Sequence, residues 1–309
     1  MNNRNTIIAI AIVLVTVLLM GEALAYAFNP YSHNSDVEID DSGISYTIET
    51  PGSWEYDIII LDNGDVPKLN ELIMLSTGGI YFERIETELA IRGFYDVRMM
   101  DPSEIGEMTD HPLGKAILIP YGPIPEELYS GETTDFLVRW LEEGGTVYWF
   151  GCVPDGGYDY DLSLLGLSED DFWSDESSED YKASASPFCK SLKLRNHFMG
   201  YGLNADIGTP LAFVSESGFS SITSMKVLNG TMVIFAGGHS YENSMDCAQI
   251  ITSGITHDTI IVEHQEGIIS NCKDGRILYP DESGISSIDN ISVYIYIGGY
   301  YIVYGERHE

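Results

Sequence analysis

Short apolar runs alternate with helical patterns through the middle of the chain, and this alternation restricts the possible folds most. Tyr56–Leu61 (YDIIIL) is a continuous apolar run, typical of a strand that is buried on both faces. Residues 80–92 and 133–143 carry apolar side chains at helical spacing and are followed by glycines. Further strand-like runs cover residues 96–100, 116–120, 146–150, 231–236 and 259–263. The pattern predicts an α/β fold, with a mostly parallel sheet flanked by helices in the Rossmann or flavodoxin manner.

Both ends of this region have the alternating pattern of antiparallel strands. Residues 37–49 are typical of a hairpin, and the last two candidate strands are joined by Gly298-Gly299. We expect the two chain ends to form one small antiparallel β module. The sequence therefore divides into an N-terminal apolar segment (1–28), a spacer with a hairpin (29–53), an α/β domain (54–265) and a C-terminal β module (266–309).

The N-terminal apolar segment has two interpretations. Thr6 to Phe28 is long enough, at about 34 Å as a helix, to anchor the chain across a membrane. A basic start and the Ala23-Leu24-Ala25 sequence also fit a cleaved secretory signal. Because Arg4 precedes the apolar run, both interpretations place residues 29 onward outside the cytoplasm. We expect a single-pass cell-membrane protein, or a secreted one if the segment is cleaved.

Acidic residues dominate the charge of the chain. There are 48 Asp and Glu against 15 Lys and Arg, a formal net charge of -33. A phosphate backbone requires a basic face, so nucleic acid is excluded as a partner. The acidic residues are dense in an expected insertion at about 155–205. Asp155, Asp159 and Asp161 are candidate calcium ligands there, although their spacing differs from an EF-hand loop and a solvated acidic loop is the alternative.

Ligands of open parallel sheets bind beyond the carboxyl ends of the strands. No glycine-rich phosphate motif follows any predicted strand, so we expect no nucleotide and no other cofactor apart from the possible calcium. The rule selects as ligand candidates Asp62, Asn63, Tyr121, Gly122, Gly151, Gly238 and His239. The alternative is that the glycines and the asparagine among them only form tight turns.

One combination of residues suggests nucleophilic chemistry. Cys152 follows one core strand and His239 follows a later one, with Glu242 three residues beyond. A thiol nucleophile requires a base, and the base requires an orienting acid. With the strand order and the WLEEGGTVYWFG block at 140–151, these residues resemble the class I glutamine-amidotransferase-like α/β domains of membrane-anchored archaeal and bacterial surface proteins.

The sequence departs from the motif of that family. The nucleophile turn of the family reads G-x-C-x-G, whereas this chain has Phe150 and Pro154 at the two glycine positions. The acid of the family follows the histidine at H-x-E spacing, whereas His239 and Glu242 have H-x-x-E spacing. The resemblance therefore implies a relative whose catalytic site is degenerate. We expect a non-catalytic, membrane-anchored surface module that binds an unknown protein or glycan. The alternatives are a thiol-dependent hydrolase or amidotransferase that uses Cys152, His239 and Glu242, and a calcium- or glycan-binding adhesin.

Two kinds of covalent modification are expected outside the cytoplasm. The four cysteines (152, 189, 247 and 272) permit up to two disulfides, with Cys247–Cys272 and Cys152–Cys189 as the first pairings to consider. Asn229 and Asn290 lie in N-glycosylation sequons.

Overall fold

The computed structural model describes most of the chain from residue 34 onward. The described residues are 34–40, 42–64, 66, 68–76, 79–120, 122–150, 161–174, 183–185, 201–214, 218–236, 241–278, 291–297 and 300–304. The strands are β1 (Asn34–Asp40), β2 (Gly43–Asp62), β3 (Glu71–Leu75), β4 (Val97–Met100), β5 (Lys115–Ile119), β6 (Thr146–Phe150), β7 (Phe172–Ser174), β8 (Ala183–Ala185), β9 (Tyr201–Asn204), β10 (Thr209–Val214), β11 (Phe219–Val227), β12 (Gly230–Phe235), β13 (Ile260–Leu278), β14 (Ile291–Ile297) and β15 (Tyr300–Tyr304). The helices are α1 (Gly79–Ile91), α2 (Pro102–Gly106), α3 (Phe136–Glu142) and α4 (Tyr241–Ser253), with 3₁₀ turns at Ser163–Leu165 and Glu169–Asp171.

The larger sheet, which we call the main sheet, follows the order β4-β3-β5-β6-β12-β11-β10-β8, with β9 and β7 attached through β11. Strands β4, β3, β5, β6 and β12 are parallel to one another. The strands beyond β12 run antiparallel. The main sheet is therefore mixed.

The second sheet, which we call the ribbon sheet, consists of β1, β2, β13, β14 and β15 and is wholly antiparallel. β2 is its central strand. The first part of β2 pairs with β1 and the last part pairs with β14, while β13 follows β2 along its whole length. The β13–β2 register shifts twice, between Ile261 and Glu263 and between Ser270 and Cys272. β13 is therefore an edge strand, since β2 is the only described strand that pairs with it.

Three apolar clusters hold these layers together. The first fills the space between one face of the main sheet, helices α1 and α4, and Ile59, Leu61 and Tyr294 of the ribbon sheet. The second covers the opposite face of the main sheet with α2, α3 and the first 3₁₀ turn. The third lies within the ribbon sheet, between the two parts of β2 and their neighbours. Helices therefore cover the main sheet on both faces, whereas the ribbon sheet supplies much of its own cover.

Polar contacts between residues far apart in the sequence join β2 to β13 within the ribbon sheet. The Tyr46 hydroxyl donates to Gln265 Oε1 at 2.8 Å. Lys273 donates to the Tyr56 hydroxyl, and its ammonium group lies 4.2 Å from the Tyr56 ring centroid. The Tyr46 ring occupies the space above Gly275, where an added Cβ would lie 2.1 Å from Cζ of the ring. Any larger residue at position 275 would therefore displace the Tyr46 ring.

The predicted mostly parallel, helix-flanked sheet is wrong. Most of the regular structure is strand, and the parallel arrangement is confined to five neighbouring strands of the main sheet. The apolar run at residues 56–61 is buried on both faces, as expected, but it lies in the antiparallel ribbon sheet. Residues 259–263 were expected to extend the parallel sheet, and β13 pairs with β2 instead. A continuous apolar run indicates burial on both faces and leaves the direction of its neighbours undetermined.

Candidate functional site

Asp62 and Asn63 were expected to face a ligand, and both are buried in internal hydrogen bonds. The backbone N–H of Gly64 donates to Asp62 Oδ1 at 2.9 Å. The Asn63 amide donates to the Ser292 hydroxyl at 2.8 Å and accepts from the Thr259 hydroxyl at 3.1 Å. These bonds tie the end of β2 to the start of β14 and to the segment before β13. The pair thus joins elements of the fold, which satisfies the polar groups that burial removes from water.

Gly122 also has an internal role. It adopts a left-handed backbone conformation with φ of 76°, and its carbonyl accepts the indole N–H of Trp149 at 2.8 Å. Glu242 belongs to the first turn of α4. The remaining ligand candidates and the other members of the proposed catalytic trio lie outside the described residues: Tyr121, Gly151, Cys152, Gly238 and His239.

The candidate calcium site cannot be assembled from the described residues. Asp155 and Asp159 lie outside them, and Asp161 accepts the backbone N–H of Ser163 at 2.8 Å and the Ser163 hydroxyl at 2.7 Å. These hydrogen bonds hold the pKa of the Asp161 carboxyl below its usual value. Over the part of the chain that the structure describes, no three acidic, histidine or cysteine side chains form a cluster able to hold a metal ion.

The two described cysteines are free thiols, so the expected Cys247–Cys272 disulfide is not formed in this structure. Cys247 is buried on α4, and burial raises the pKa of its thiol well above the usual value. Cys272 is exposed on β13. Cys189 and Asn290 lie outside the described residues. Asn229 is exposed at the β11–β12 turn, where its amide donates to the Glu142 carbonyl at 2.8 Å.

The Thr231 hydroxyl, the His257 imidazole and the Asp258 carboxylate are in contact, one after the other, at the start of β12. Thr231 Oγ1 lies 2.9 Å from His257 Nδ1, and His257 Nε2 lies 2.9 Å from Asp258 Oδ2. Burial lowers the pKa of His257, although the Asp258 carboxylate beside it acts in the opposite direction. The order of groups matches that of a nucleophile with its base and acid. Thr231 is only 2% exposed, however, so no substrate reaches its hydroxyl, and the contact joins β12 to the segment before β13.

An open groove lies on the outer surface of α1, where that helix ends. Its volume is about 540 Å³, and it is lined by Glu86, Thr87, Ala90, Ile91 and Tyr95. Tyr95 is 76% exposed, and Ile91 is exposed as well. We call this the Tyr95 groove. Sequence reasoning missed it, although two adjacent aromatic residues, Phe94 and Tyr95, follow the Gly93 stop and only one of them can turn toward the core.

The end of α1 beneath the Tyr95 groove is firmly held. Ile85 and Leu89 are completely buried on its inner face. Arg92 forms an ion pair with the buried Glu88 at 2.6 Å and donates from Nε to Gln249 Oε1 on α4 at 3.0 Å.

Glycine at position 93 permits the chain to leave α1 sharply. Gly93 has φ of 83°, and the Phe94 N–H returns to the Leu89 carbonyl at 3.0 Å. The Val97 N–H donates to the Tyr95 carbonyl at 2.9 Å. Tyr95 is therefore presented to solvent on a backbone that hydrogen bonds hold on both sides.

Comparisons with known proteins give only distant likenesses. No family model matches the chain, and no curated protein is similar in sequence. Solved structures that are similar include exo-β-1,4-mannosidase Op5Man5 from Opitutaceae bacterium strain TAV5 (13% identity, TM-score 0.38), β-galactosidase from Bacillus circulans sp. alkalophilus (14%, 0.31) and a cold-adapted β-galactosidase from Rahnella sp. R3 (12%, 0.35). The matches cover 62%, 62% and 60% of this chain and 35%, 32% and 31% of those chains. The chain thus spans about a third of each neighbour.

The fold corrects two expectations from the sequence. The sheets are not those of a helix-flanked parallel fold, so the assignment to the amidotransferase-like family is wrong. The function deduced from that family, a non-catalytic surface module with a degenerate amidotransferase site, is wrong on the same findings. Among the described residues, no helix has the length and apolar character needed to cross a membrane, and residues 6–28 are not among them.

Proposed function

We propose that this chain is a carbohydrate-directed protein that holds a neutral saccharide in the Tyr95 groove. The observation that carries the proposal is a tyrosine that is 76% exposed, beside hydrogen-bonding side chains on a firmly held helix end. An aromatic ring offers an apolar face to the C–H groups of a sugar ring, and its hydroxyl remains available to a polar partner. Because the helix end is held in place, binding costs little ordering of the protein.

The polar groups of the groove suit the hydroxyls of a sugar. Thr87 donates its hydroxyl proton to the Glu83 carbonyl at 2.7 Å, so its oxygen faces a ligand as an acceptor. The Glu86 carboxylate is exposed and also accepts. Sugar hydroxyls can donate to both oxygens, while Ile91 and the Tyr95 ring contact the apolar side of the ligand.

Shape and charge restrict the ligand further. The groove is open to solvent, so it suits a sugar that lies against the surface of the protein. With a net charge of -33, the surface repels anionic saccharides, so a neutral sugar is favoured.

The proposal also includes a location. Residues 6–28 hold the chain in a membrane and residues 29 onward face the extracytoplasmic side, where cell-surface saccharides are accessible. The support is the length of the apolar segment and the position of Arg4 before it.

The test is saturation-transfer NMR of the full-length chain in neutral detergent, with a panel of neutral hexoses and their disaccharides. We expect at least one sugar to bind with millimolar affinity, Tyr95→Ala to weaken it at least tenfold, and Tyr95→Phe to retain it because the ring is kept. The proposal fails if no sugar gives a signal, or if Tyr95→Ala binds as the unmodified chain does.

A further inference from the structure

We propose that residues 260–270 of β13 form a second binding site, where an extended, basic segment of a partner protein adds a strand to the ribbon sheet. This interaction is independent of the Tyr95 groove. Strand addition joins backbone groups along an open sheet edge, while side chains beside that edge provide specificity.

The first support is the open edge itself. β13 pairs with β2 on one side, and no other described strand pairs with it on the other. Between its two register shifts, residues 263–270 form a regular strand of eight residues. Native sheets protect exposed edges with charged side chains, lysine above all, with proline, with bulges or with short length, and here the bulges lie only at the two ends of the eight residues. The sequence of this segment, IIVEHQEGIIS, contains neither lysine nor proline.

The second support is an exposed apolar side chain with acidic neighbours. Ile268 is 73% exposed. Its partner in the register is Glu55 of β2, which is exposed, and Glu266 lies two positions before it on the same face. A strand laid along this edge would place an apolar residue beside Ile268 and, two positions along on the same face, a basic residue beside Glu266.

Charge decides which occupant fits. Pairing with a second copy of the chain would bring Glu263 and Glu266 of each copy to one edge, between two molecules that each carry -33. Like charges directly opposite one another destabilise a sheet. His264 does not relieve this repulsion, because it is engaged with Asp57 at 2.9 Å. The fitting occupant is therefore an extended segment in which a lysine or arginine lies two positions from an apolar residue, so that both are on the face of Glu266 and Ile268.

The experiment measures binding of the eight-residue peptide VVKKVVKK, in which each face carries valine and lysine in turn, to the full-length chain, by fluorescence anisotropy in neutral detergent. A second peptide of the same sequence carries an N-methyl group at every residue, so that neither edge of it has N–H donors. We expect the methylated peptide to bind at least tenfold more weakly. Ile268→Lys should weaken the first peptide at least tenfold, because a lysine at the edge repels it.

The matched control is Leu113→Lys, which adds the same charge at another site that is 66% exposed and should leave affinity within twofold. Circular dichroism checks that both variants are folded. Equal binding of the two peptides would overturn the proposal, because simple charge attraction would then explain the affinity. Equal effects of the two lysine variants would also overturn it. Sedimentation that shows a dimer of the unmodified chain, lost in Ile268→Lys, would assign the edge to a second copy instead.

Discussion

The main sheet and the ribbon sheet bury similar apolar side chains by different means. The main sheet has helices on both faces, with α1 and α4 on one side and α2 and α3 on the other. One face of the ribbon sheet packs against the first cluster, and its other face is covered by side chains of its own strands. Its fully buried residues include Ile44 and Ile58 of β2 and Val293 and Ile295 of β14.

The difference shows where surface is left available for binding. Covering a sheet with helices leaves the outer helix surfaces exposed, and the Tyr95 groove lies on one of them. A sheet that closes on itself leaves a strand edge exposed, and β13 supplies it. The two candidate sites thus result from the two ways in which the faces of the sheets are covered. The polar contacts of Asn63 and His257, which we call the polar junction, connect the two sheets.

The largest expected effect comes from a matched pair of tryptophans, one in each sheet. Trp149 is fully buried in the main sheet, whereas Trp54 is 37% exposed in the ribbon sheet. We expect Trp149→Ala to lower the free energy of unfolding by about 3–5 kcal/mol, because it leaves a cavity and an unpaired Gly122 carbonyl. Trp54→Ala should cost at most about 2 kcal/mol. Urea unfolding followed by circular dichroism measures both, and equal losses would contradict the distinction between the sheets.

A smaller loss of stability is expected when the polar junction is changed at Asn63. Asn63→Ala removes the partner of the Ser292 and Thr259 hydroxyls, both of which lie beside the end of β2. We expect a loss of about 1–3 kcal/mol, since buried polar groups are left unsatisfied. Ser292→Ala removes one bond of the same network and is the milder control. If Asn63→Ala unfolds at the same urea concentration as the unmodified chain, the junction does not couple the sheets.

The smallest effect is a dependence on pH at His257. Burial lowers the pKa of its imidazole from the ordinary 6.5, so the unfolded chain takes up the proton more readily than the folded chain. The contribution of His257 to stability is therefore full above pH 6.5 and decreases as the pH falls below that value. Thermal unfolding of the unmodified chain and of His257→Gln between pH 8 and pH 5 should show a shallower decline for the variant. Parallel curves would contradict the prediction.

The sequence predicts local elements better than their arrangement. The helical pattern at residues 80–92 and its glycine stop correspond to α1. These features depend on neighbouring residues. The pairing of β2 with β13 depends on residues about 200 positions apart, and neither strand carries a local mark of its partner. Length also misled the prediction, because short apolar runs proved to be parts of strands of 20 and 19 residues.

The candidate site was harder to predict than the fold. Asp62 and Asn63 were selected because polar residues after a strand suit a ligand, yet the same residue types suit a buried junction. The exposure of Tyr95 depends on which of two adjacent aromatic residues turns inward, and only the packing of Phe94 against the core decides that. The edge of β13 could not be anticipated either, because that segment was expected to extend the parallel sheet.

The pairing of β2 with β13 has a consequence for the order in which the chain acquires its structure. Tyr46 and Gln265, which share a hydrogen bond across the ribbon sheet, are 219 residues apart in sequence. At roughly 5–20 residues per second, synthesis brings out the partner of β2 on the order of 10–40 s after β2 itself. For that interval an apolar strand has only β1 beside it, while the main sheet can begin to form from nearer segments. Contacts of such long range also slow folding. The ribbon sheet is therefore completed last, and a chain interrupted before residue 260 leaves β2 without the strand that pairs along its whole length.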